Sequence, residues 1–486
     1  GTGATAIAQI DLSVGTVTNI LITCPGSGYQ SGDTVTATLR GGGYTAPATL
    51  GAVSLGVNNT DGGLTKVGTG VLRLTGTNTY VGTTIISNGT LNGAGAGALG
   101  GTTNITVEAG AQFIVESPAD VINNSGTVNL KTGSTMYLTN TVFDSIGSIL
   151  FDGAPQATGI WGAPGNPMAD NTDAKITGQG LLLVGVTYGD SAWTNTVNGN
   201  WRTAGNWSNN IVAFGYGKTA YFTNDAGSDI TVTQDFATAN IGNMVFGSPG
   251  AVNWTISSNS LLLIGATTPV IAVNTNTAVI SSVITGSQGF VKSGAGMLFL
   301  GAASTYTGVT TVKDGTLVIG ATDALPTGGQ LVLGDNTVTN KGGALVLSGY
   351  SQTISNLLLT TWTNVTPTAL NPITIGSGDT LSIASSGAGN MVTLIEGTHL
   401  QASGAGTMNI TAPNGNIFIW GRRGTVAPYR GMDLSQLSNF TANVNSITVG
   451  YDNGAPQFSR VGLLALAATN NVTAADIYIG NSPADG

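Results

Sequence analysis

Few residues of this chain belong to the types that carry out catalysis. Glutamate occurs three times in 486 residues, and Glu108 and Glu116 lie eight positions apart. Two carboxylates held a few ångströms from each other could cleave a glycosidic bond. This pair could share a face on adjacent strands, but solvated carboxylates beside turns are the simpler interpretation. We therefore predict no catalytic residue.

Nucleophiles and metal ligands are equally scarce. His399 is the single histidine and Cys24 the single cysteine, so neither a catalytic triad nor a transition-metal site can be assembled. We expect His399 to be exposed and Cys24 to be a small buried apolar residue, with an intermolecular disulfide as the alternative. The segment Tyr451–Gly454 is too short for a calcium loop. We predict no metal and no cofactor.

Two aromatic clusters could contact a ligand or a partner. The first contains Trp193, Trp201 and Trp207, which could form a platform on which a sugar stacks. Equally, indole rings bury a large apolar area and could seal the end of a structural module. We favour the sealing role and keep the sugar platform as the alternative.

The second cluster combines aromatic and basic side chains. It contains Trp420, Arg422, Arg423, Tyr429 and Arg430. Arginine beside aromatic rings could bind an acidic polysaccharide or a carboxylate of a neighbouring subunit. A solvated loop, in which the arginine stems pack on the rings, is the simpler interpretation.

Composition limits the elements that can position these residues. Charged residues make up 8% of the chain, glycine fills 74 positions, and the net charge is −9. This acidic balance leaves no basic face for nucleic acid. No apolar run approaches the ~20 residues that a membrane-spanning helix needs. We predict neither nucleic-acid binding nor membrane insertion.

Short runs with alternating apolar residues predict strands along the whole chain. Gln112–Val115, Thr127–Leu130 and Ala344–Leu347 are examples, and glycine, asparagine or aspartate separates such runs. Helical periodicity is almost absent. The sequence therefore predicts an all-β protein.

An internal repeat favours one β architecture. Leu64–Leu91 and Phe290–Leu317 are identical at 12 of 28 positions without a gap. Reuse of one unit at wide spacing is typical of a parallel β-solenoid, although Asn-Gly turns leave a meandering sandwich open. Coils of ~20–25 residues spaced ~4.8 Å apart would form a rod about 100 Å long.

The repeat also predicts which side chains face the core. Lys66 and Lys292 are expected to flank a turn in the two copies. The aliphatic residues expected to face the core are Leu72, Leu74, Ile86, Leu91, Leu298, Leu300, Val312 and Leu317.

We divide the chain into four segments. Residues 1–56 are a Gly/Tyr-rich β unit, expected to be a fragment of a longer repeat array. Residues 57–186 form a solenoid module with the first repeat copy, and residues 187–358 form one with a Trp-rich head and the second copy. Residues 359–486 form further solenoid coils. Small β-sandwich-like units at the module starts are a further possibility for this fold.

The repeated sequence resembles the passenger-associated transport repeat, also called the autotransporter-associated β-strand repeat. The first copy carries the match in Leu64-Thr-Lys-Val-Gly-Thr-Gly, Asn78-Thr-Tyr-Val-Gly and Asn88-Gly-Thr-Leu. The segment Trp193–Trp207 is similar to unit heads of very large exported repeat proteins of planctomycete and verrucomicrobial type. The resemblance implies secretion, display on a bacterial cell surface and a right-handed parallel β-helix.

Together these patterns predict a non-enzymatic extracellular structural protein. It would be a segment of a giant secreted or surface-displayed β-solenoid that acts as a fibre, stalk or adhesin. Self-association into filaments, or contact with neighbouring surface proteins, would use open sheet edges. The alternative is a β-helix that binds or cleaves extracellular polysaccharide, similar to a lyase or a tailspike.

Overall fold

The computed structural model describes most of the chain. The described residues are 2–11, 13–27, 62–117, 120–139, 142–335, 342–360, 371–420, 422–423, 430–451 and 460–480. They fall into two compact units, one of residues 1–63 with 80–82 and the other of residues 64–79 with 83–486. Within these ranges no helix is long and apolar enough to span a membrane.

The first unit contains an antiparallel hairpin. Strand β1 (Thr2–Asp11) pairs with β2 (Thr16–Ser27), and Gly15 takes a left-handed conformation (φ 72°) in the turn. Cys24 is exposed, so the prediction of a buried cysteine is wrong. The reason is that its strand belongs to a two-stranded sheet, which buries little on either face. The remainder of the Gly/Tyr-rich segment lies outside the described residues.

The second unit begins with coils wound through two parallel sheets. The strands of this part are β3 (Leu64–Lys66), β4 (Val71–Leu74), β5 (Thr84–Ile86), β6 (Thr90–Gly93), β7 (Asn104–Val107), β8 (Gln112–Val115), β9 (Thr127–Leu130), β10 (Thr135–Leu138), β11 (Phe143–Ile146), β12 (Ser148–Phe151), β13 (Ala154–Pro155), β14 (Gly159–Gly162), β15 (Asn171–Thr172), β16 (Ile176–Gly178) and β17 (Leu181–Val184). One sheet has the order β13-β12-β9-β7-β5-β3 and the other the order β16-β10-β8-β6-β4. The register pairs Lys66 with Ile86 and Ile86 with Val107, so successive coils are 20 and 21 residues apart.

A small mixed sheet alternates in sequence with the last strands of these coils. Strands β11 and β17 are parallel, whereas β14 is antiparallel to β17 and parallel to β15. Residues 164–167 lie in the irregular connection between β14 and β15. Phe143, Ile160 and Leu181 of this sheet belong to the same buried core as Phe214 and Phe222 of the coils that follow.

A second run of coils occupies the rest of the unit. Two 3₁₀ helices, Ala204–Asn206 and Ser208–Asn210, interrupt its first coil. Its strands are β18 (Tyr188–Gly189), β19 (Ser191–Ala192), β20 (Gly199–Asn200), β21 (Val212–Ala213), β22 (Thr219–Phe222), β23 (Ile230–Thr233), β24 (Thr238–Ile241), β25 (Asn243–Phe246), β26 (Trp254–Ser257), β27 (Ser260–Leu263), β28 (Val270–Val273), β29 (Thr277–Ile280), β30 (Val283–Thr285), β31 (Phe290–Ser293), β32 (Met297–Leu300), β33 (Thr310–Val312), β34 (Gly315–Ile319), β35 (Gln330–Leu333), β36 (Gly343–Leu347), β37 (Gln352–Ile354), β38 (Asn356–Leu359), β39 (Asn371–Ile375), β40 (Thr380–Ala384), β41 (Gly389–Leu394), β42 (Leu400–Trp420), β43 (Arg422–Arg423), β44 (Arg430–Tyr451), β45 (Arg460–Ala465) and β46 (Thr469–Ile479).

Strands at equivalent positions of successive coils stack in parallel. One ladder runs through β22, β25, β28 and β31, a second through β23, β26, β29 and β32, and a third through β24, β27 and β30. The 21-residue strand β42 pairs in turn with β39, β40 and β41. It therefore passes along three sides of one coil. The structure confirms the predicted all-β solenoid.

Inward-facing aliphatic side chains form the core of these coils. Six of the eight residues predicted to face the core are at most 1% exposed, namely Ile86, Leu91, Leu298, Leu300, Val312 and Leu317. Leu72 and Leu74 are only half-buried, because β4 is the end strand of its sheet and is covered from one side.

Candidate functional site

A lysine is buried at one corner of each repeat copy. In the first copy Lys66 ends β3 on the core side of the strand and is 7% exposed. Its ammonium Nζ donates to the carbonyl oxygens of Val67 at 2.9 Å, Gly68 at 2.6 Å and Asn88 at 3.0 Å. An ammonium has three N–H donors, so these three acceptors satisfy it fully.

The second copy builds the same corner around Lys292, which is 0% exposed. Its Nζ donates to the carbonyl oxygens of Ser293 at 3.2 Å, Asp314 at 2.8 Å and Gly294. Burial lowers the pKa of Lys292 to about 8, and the nearby charge of Asp314 opposes that shift. The last acceptor lies 22 residues beyond the lysine in both copies. Each lysine therefore ties one coil to the next.

A glycine is required beneath each lysine. Gly89 and Gly315 have φ of 69° and 68°, a left-handed conformation that a side chain disfavours. A Cβ on Gly315 would lie 2.5 Å from Lys292 Nζ, and one on Gly89 would lie 2.6 Å from the Gly70 carbonyl oxygen. We call each of these two pairs, Lys66 with Gly89 and Lys292 with Gly315, a lysine corner.

The sequence placed both lysines beside a turn but did not predict their burial. Lysine is almost never fully buried unless it is paired, so a lysine in a polar segment is normally predicted to lie on the surface. One sequence feature could have indicated their burial. Both copies contain the pattern Lys-x-Gly-x-Gly, and in both copies a Gly-Thr-Leu segment follows at the same distance from the lysine.

The three predicted tryptophans come together, but inside the protein. Trp193, Trp201 and Trp207 are 1%, 0% and 2% exposed. Trp201 Nε1 donates to the Ala213 carbonyl oxygen at 2.7 Å, and Trp207 Nε1 donates to the Trp201 carbonyl oxygen at 2.6 Å. The sugar-platform alternative is wrong for them, because a stacking platform must offer an indole face to solvent. Their sealing role stays an interpretation.

The aromatic part of the second cluster is only partly accessible. The Trp420 ring is half-buried and packs against Phe418 and Tyr451, with centroid distances of 5.9 and 5.6 Å. Contact of this cluster with a glycan or a partner stays a prediction, since its remaining side chains lie outside the described part of the structure: Arg422, Arg423, Tyr429 and Arg430.

The carboxylates and the histidine do not assemble a catalytic centre. Glu116 Oε2 accepts hydrogen bonds from Arg73 Nε at 3.1 Å and Asn92 Nδ2 at 2.8 Å, and these bonds lower the pKa of Glu116. Glu108 follows β7, which belongs to a different sheet from β8 before Glu116. His399 is half-buried, so its predicted exposure is wrong. It immediately precedes β42, and its carbonyl oxygen accepts the backbone N–H of Asn371 at 3.2 Å. Among the described residues, no group of His, Cys, Asp and Glu could hold a metal ion.

One carboxyl group is buried near the mixed sheet. Asp144 is 1% exposed, and its Oδ2 accepts hydrogen bonds from the backbone N–H groups of Val121 and Ile122, both at 3.1 Å. Burial, with the charge of Asp120 as a lesser cause, raises the pKa of Asp144 to about 8. The group is therefore mainly protonated at neutral pH.

The strand β46 presents an exposed edge. It pairs with β44, and no other described strand pairs with it. Ile477, Tyr478 and Ile479 are 61%, 41% and 82% exposed. An edge strand with apolar side chains is a template for further strand pairing.

Comparison with known protein families identifies the type of the repeated sequence. The family model of the passenger-associated-transport-repeat matches residues 64–92 and 290–319. These ranges contain the two lysine corners. The match confirms the repeat type predicted from the sequence, whereas the likeness to planctomycete proteins stays a prediction.

A curated relative adds a functional indication. The adhesin BmaC autotransporter of Brucella suis biovar 1 (strain 1330) is 36% identical to this chain over 145 residues. The matched region covers 28% of this chain and 4% of the adhesin, so the chain spans a small part of that protein's length. No solved structure matches the chain.

Proposed function

We propose that this chain, a passenger-associated transport repeat protein, is part of the surface-displayed passenger of a bacterial adhesin. The observation that carries the proposal is the combination of two such repeats with 36% identity to an adhesin autotransporter. The repeat type supports export, and the relative's name supports a binding role. The coils would hold binding loops away from the cell.

The contacts within the coils support export in an unfolded state. In the parallel ladders each strand pairs with strands one coil away, and each lysine corner joins residues 22 positions apart. In a solenoid, folding can start in one repeat and propagate to its neighbours. A passenger that reaches the surface one end first can therefore fold before the remainder arrives.

We infer that the role is mechanical and adhesive, not catalytic. The lysine that the two repeat copies share is used internally, since both lysines donate to backbone carbonyl oxygens. Glu116 is held by Arg73 and Asn92, and Asp144 is buried under backbone N–H groups. The hydrogen bonds of these groups are made within the coils and loops.

Adhesion of the purified protein tests the proposal. Beads coated with the full chain would be incubated with mammalian epithelial cells and with immobilised extracellular-matrix proteins. We expect coated beads to bind at least one of these surfaces above albumin-coated beads. Equal binding of the two bead types on every surface, with the chain shown by circular dichroism to be folded, would refute the adhesin role.

Filament formation is a separate proposal that rests on β46. A second copy could add a strand to the exposed edge through main-chain hydrogen bonds. Replacement of Ile477 and Ile479 by lysine would weaken that pairing, because like charges would oppose each other along the edge. Sedimentation velocity should show assemblies for the wild type and monomers for the variant. A monomeric wild type at high concentration would exclude this assembly.

A further inference from the structure

An Asn-Gly pair stands at the first lysine corner. Asn88 is exposed, and Gly89 is left-handed with φ of 69°. The Gly89 N–H donates to Asn88 Oδ1 at 2.7 Å. Because a carbonyl bond is about 1.2 Å long, the Gly89 nitrogen and Asn88 Cγ are at most about 4 Å apart. The nitrogen of Gly89 therefore lies beside the electrophilic carbon of the Asn88 side chain.

The same hydrogen bond orients this nitrogen for attack. When the peptide loses its proton, the freed electron pair points along the former N–H bond, toward the side-chain amide of Asn88. Groups that are held in the right orientation within one molecule react much faster than separate ones. Glycine also lacks a side chain that would crowd the nitrogen. The pair is therefore preorganised for ring closure.

Lys66 supplies a charge that favours the loss of this proton. Its Nζ donates to the Asn88 carbonyl oxygen at 3.0 Å, and this oxygen belongs to the same peptide group as the Gly89 nitrogen. A deprotonated peptide group carries much of its negative charge on the carbonyl oxygen. Lys66 is 7% exposed, so little water screens its ammonium. The ammonium therefore stabilises the deprotonated peptide in the way that an oxyanion hole stabilises a developing charge.

The second copy has an aspartate at the equivalent position. The Gly315 N–H donates to Asp314 Oδ1 at 2.9 Å, and Lys292 Nζ donates to the Asp314 carbonyl oxygen at 2.8 Å. The lysine corner is thus built in the same way with a carboxyl group in place of the amide. A coil of this protein accommodates the residue that hydrolysis of the Asn88 amide would produce.

We propose that Asn88 is a self-modification site, at which the chain converts its own side-chain amide to a carboxylate with the help of Lys66. The Gly89 nitrogen loses its proton to water and attacks Asn88 Cγ. The N–Cγ bond forms, the Cγ–Nδ2 bond breaks, and Nδ2 takes a proton from water and leaves as ammonia. Water then opens the resulting succinimide ring. Attack at Cγ gives aspartate, and attack at the main-chain carbonyl carbon gives isoaspartate.

The described part of the chain contains three other Asn-Gly pairs, which serve as internal controls. In each of them the side-chain amide is bound by a residue distant in sequence, so we expect these amides to react more slowly. The bonds run from Asn92 Nδ2 to Glu116 Oε2 at 2.8 Å, from the Thr231 N–H to Asn198 Oδ1 at 2.7 Å, and from Asn414 Nδ2 to the Ser386 carbonyl oxygen at 3.2 Å.

Peptide mass spectrometry of the aged full chain tests the proposal. The folded protein would be kept at neutral pH for several weeks, and an isoaspartyl methyltransferase would label the isoaspartate that forms. We expect Asn88 to convert at least about tenfold faster than Asn198 and Asn414 in the same sample. Lys66→Met should slow the conversion of Asn88 at least about tenfold and leave the other two rates unchanged.

The direction of the Lys66→Met effect separates promotion from mere support of the corner. If Lys66 only held the corner together, its loss would free the backbone around Asn88 and speed the conversion. Asp314→Asn is an independent test that leaves Lys66 in place, since it puts an amide beside Lys292 and Gly315. The new asparagine should convert to aspartate and isoaspartate within about tenfold of the rate of Asn88.

Three results would overturn the proposal. They are an Asn88 amide that lasts as long as the amide of Asn414, an unchanged or faster conversion in Lys66→Met, and a stable amide in Asp314→Asn.

Discussion

Replacement of Lys292 by methionine should loosen the second repeat corner. The substitution keeps most of the side-chain volume but removes the ammonium that binds the carbonyl oxygens of Ser293, Gly294 and Asp314. The lysine is 0% exposed, so water cannot replace the lost donor without opening the coil. The corner glycine and the strands around it would remain as they are.

The magnitude follows from two opposed contributions. Hydrogen bonds from a charged donor contribute about 1.5–3 kcal/mol each. The ammonium itself is costly to bury, and its removal recovers several kcal/mol. The carbonyls stay buried without a donor, so we expect a net local loss of about 2–4 kcal/mol. Measurement at pH 7 keeps the ammonium charged, since the pKa of Lys292 is about 8.

Hydrogen exchange is the appropriate assay, because a solenoid can open locally without global unfolding. Amide exchange in β31–β34 should accelerate about 30- to 1,000-fold, which corresponds to that local loss. The control is Arg73→Met, which removes an exposed guanidinium 3.1 Å from the exposed carboxylate of Glu116 and should change stability by less than about 1 kcal/mol. Equal protection in the two variants would show that the lysine corner does not hold the coils together.

Three further results are expected. Asp144→Asn should make the protein less sensitive to pH, because the raised pKa of Asp144 means that wild-type stability falls as pH rises from about 4 to 8. Relative to the wild type, the variant should gain on the order of 5 kcal/mol in thermal unfolding at pH 8.5 and little at pH 4. An unchanged pH profile would refute the burial of a protonated carboxyl. Gly315→Ala should lower the free energy of unfolding, measured by thermal denaturation, by at least about 2 kcal/mol, because the new Cβ would be strained and would overlap Lys292 Nζ. Gly205→Ala, where a Cβ meets open space, should lower it by less than about 1 kcal/mol. Similar losses in the two variants would contradict the geometry of the lysine corner. Cys24 should react with one equivalent of maleimide in the folded protein, because it is exposed; reaction only after denaturation would show that it is buried.

The architecture could be predicted from sequence because the pattern is local and repeated. Alternation with period two marks inward-facing residues such as Ile86 and Val312, which are 0% exposed. Leu72 and Leu74 follow the same alternation and are half-buried, since their exposure depends on how many coils cover them. Alternation identifies the inner face of a strand but not its place in the stack.

The mixed sheet and the lysine corners could not be predicted in this way. The antiparallel pairing of β14 with β17 joins residues 21 to 25 positions apart, with β15 and β16 between them, and no local pattern specifies it. The burial of Lys292 depends on three backbone carbonyls that converge only after two coils have stacked. The burial of the three tryptophans is equally hard to predict, because the polar residues beside them in sequence do not indicate whether an indole faces the core or the solvent.

Surface display tests the central claim most directly. The full chain would be fused to the translocator of a bacterial autotransporter, and intact cells would be treated with protease. We predict that the chain is cleaved from intact cells and yields a resistant fragment that contains both repeats, residues 64–92 and 290–319. A chain that stays protected inside the cell, or that is digested at the surface without a resistant fragment, would contradict its assignment as a folded passenger.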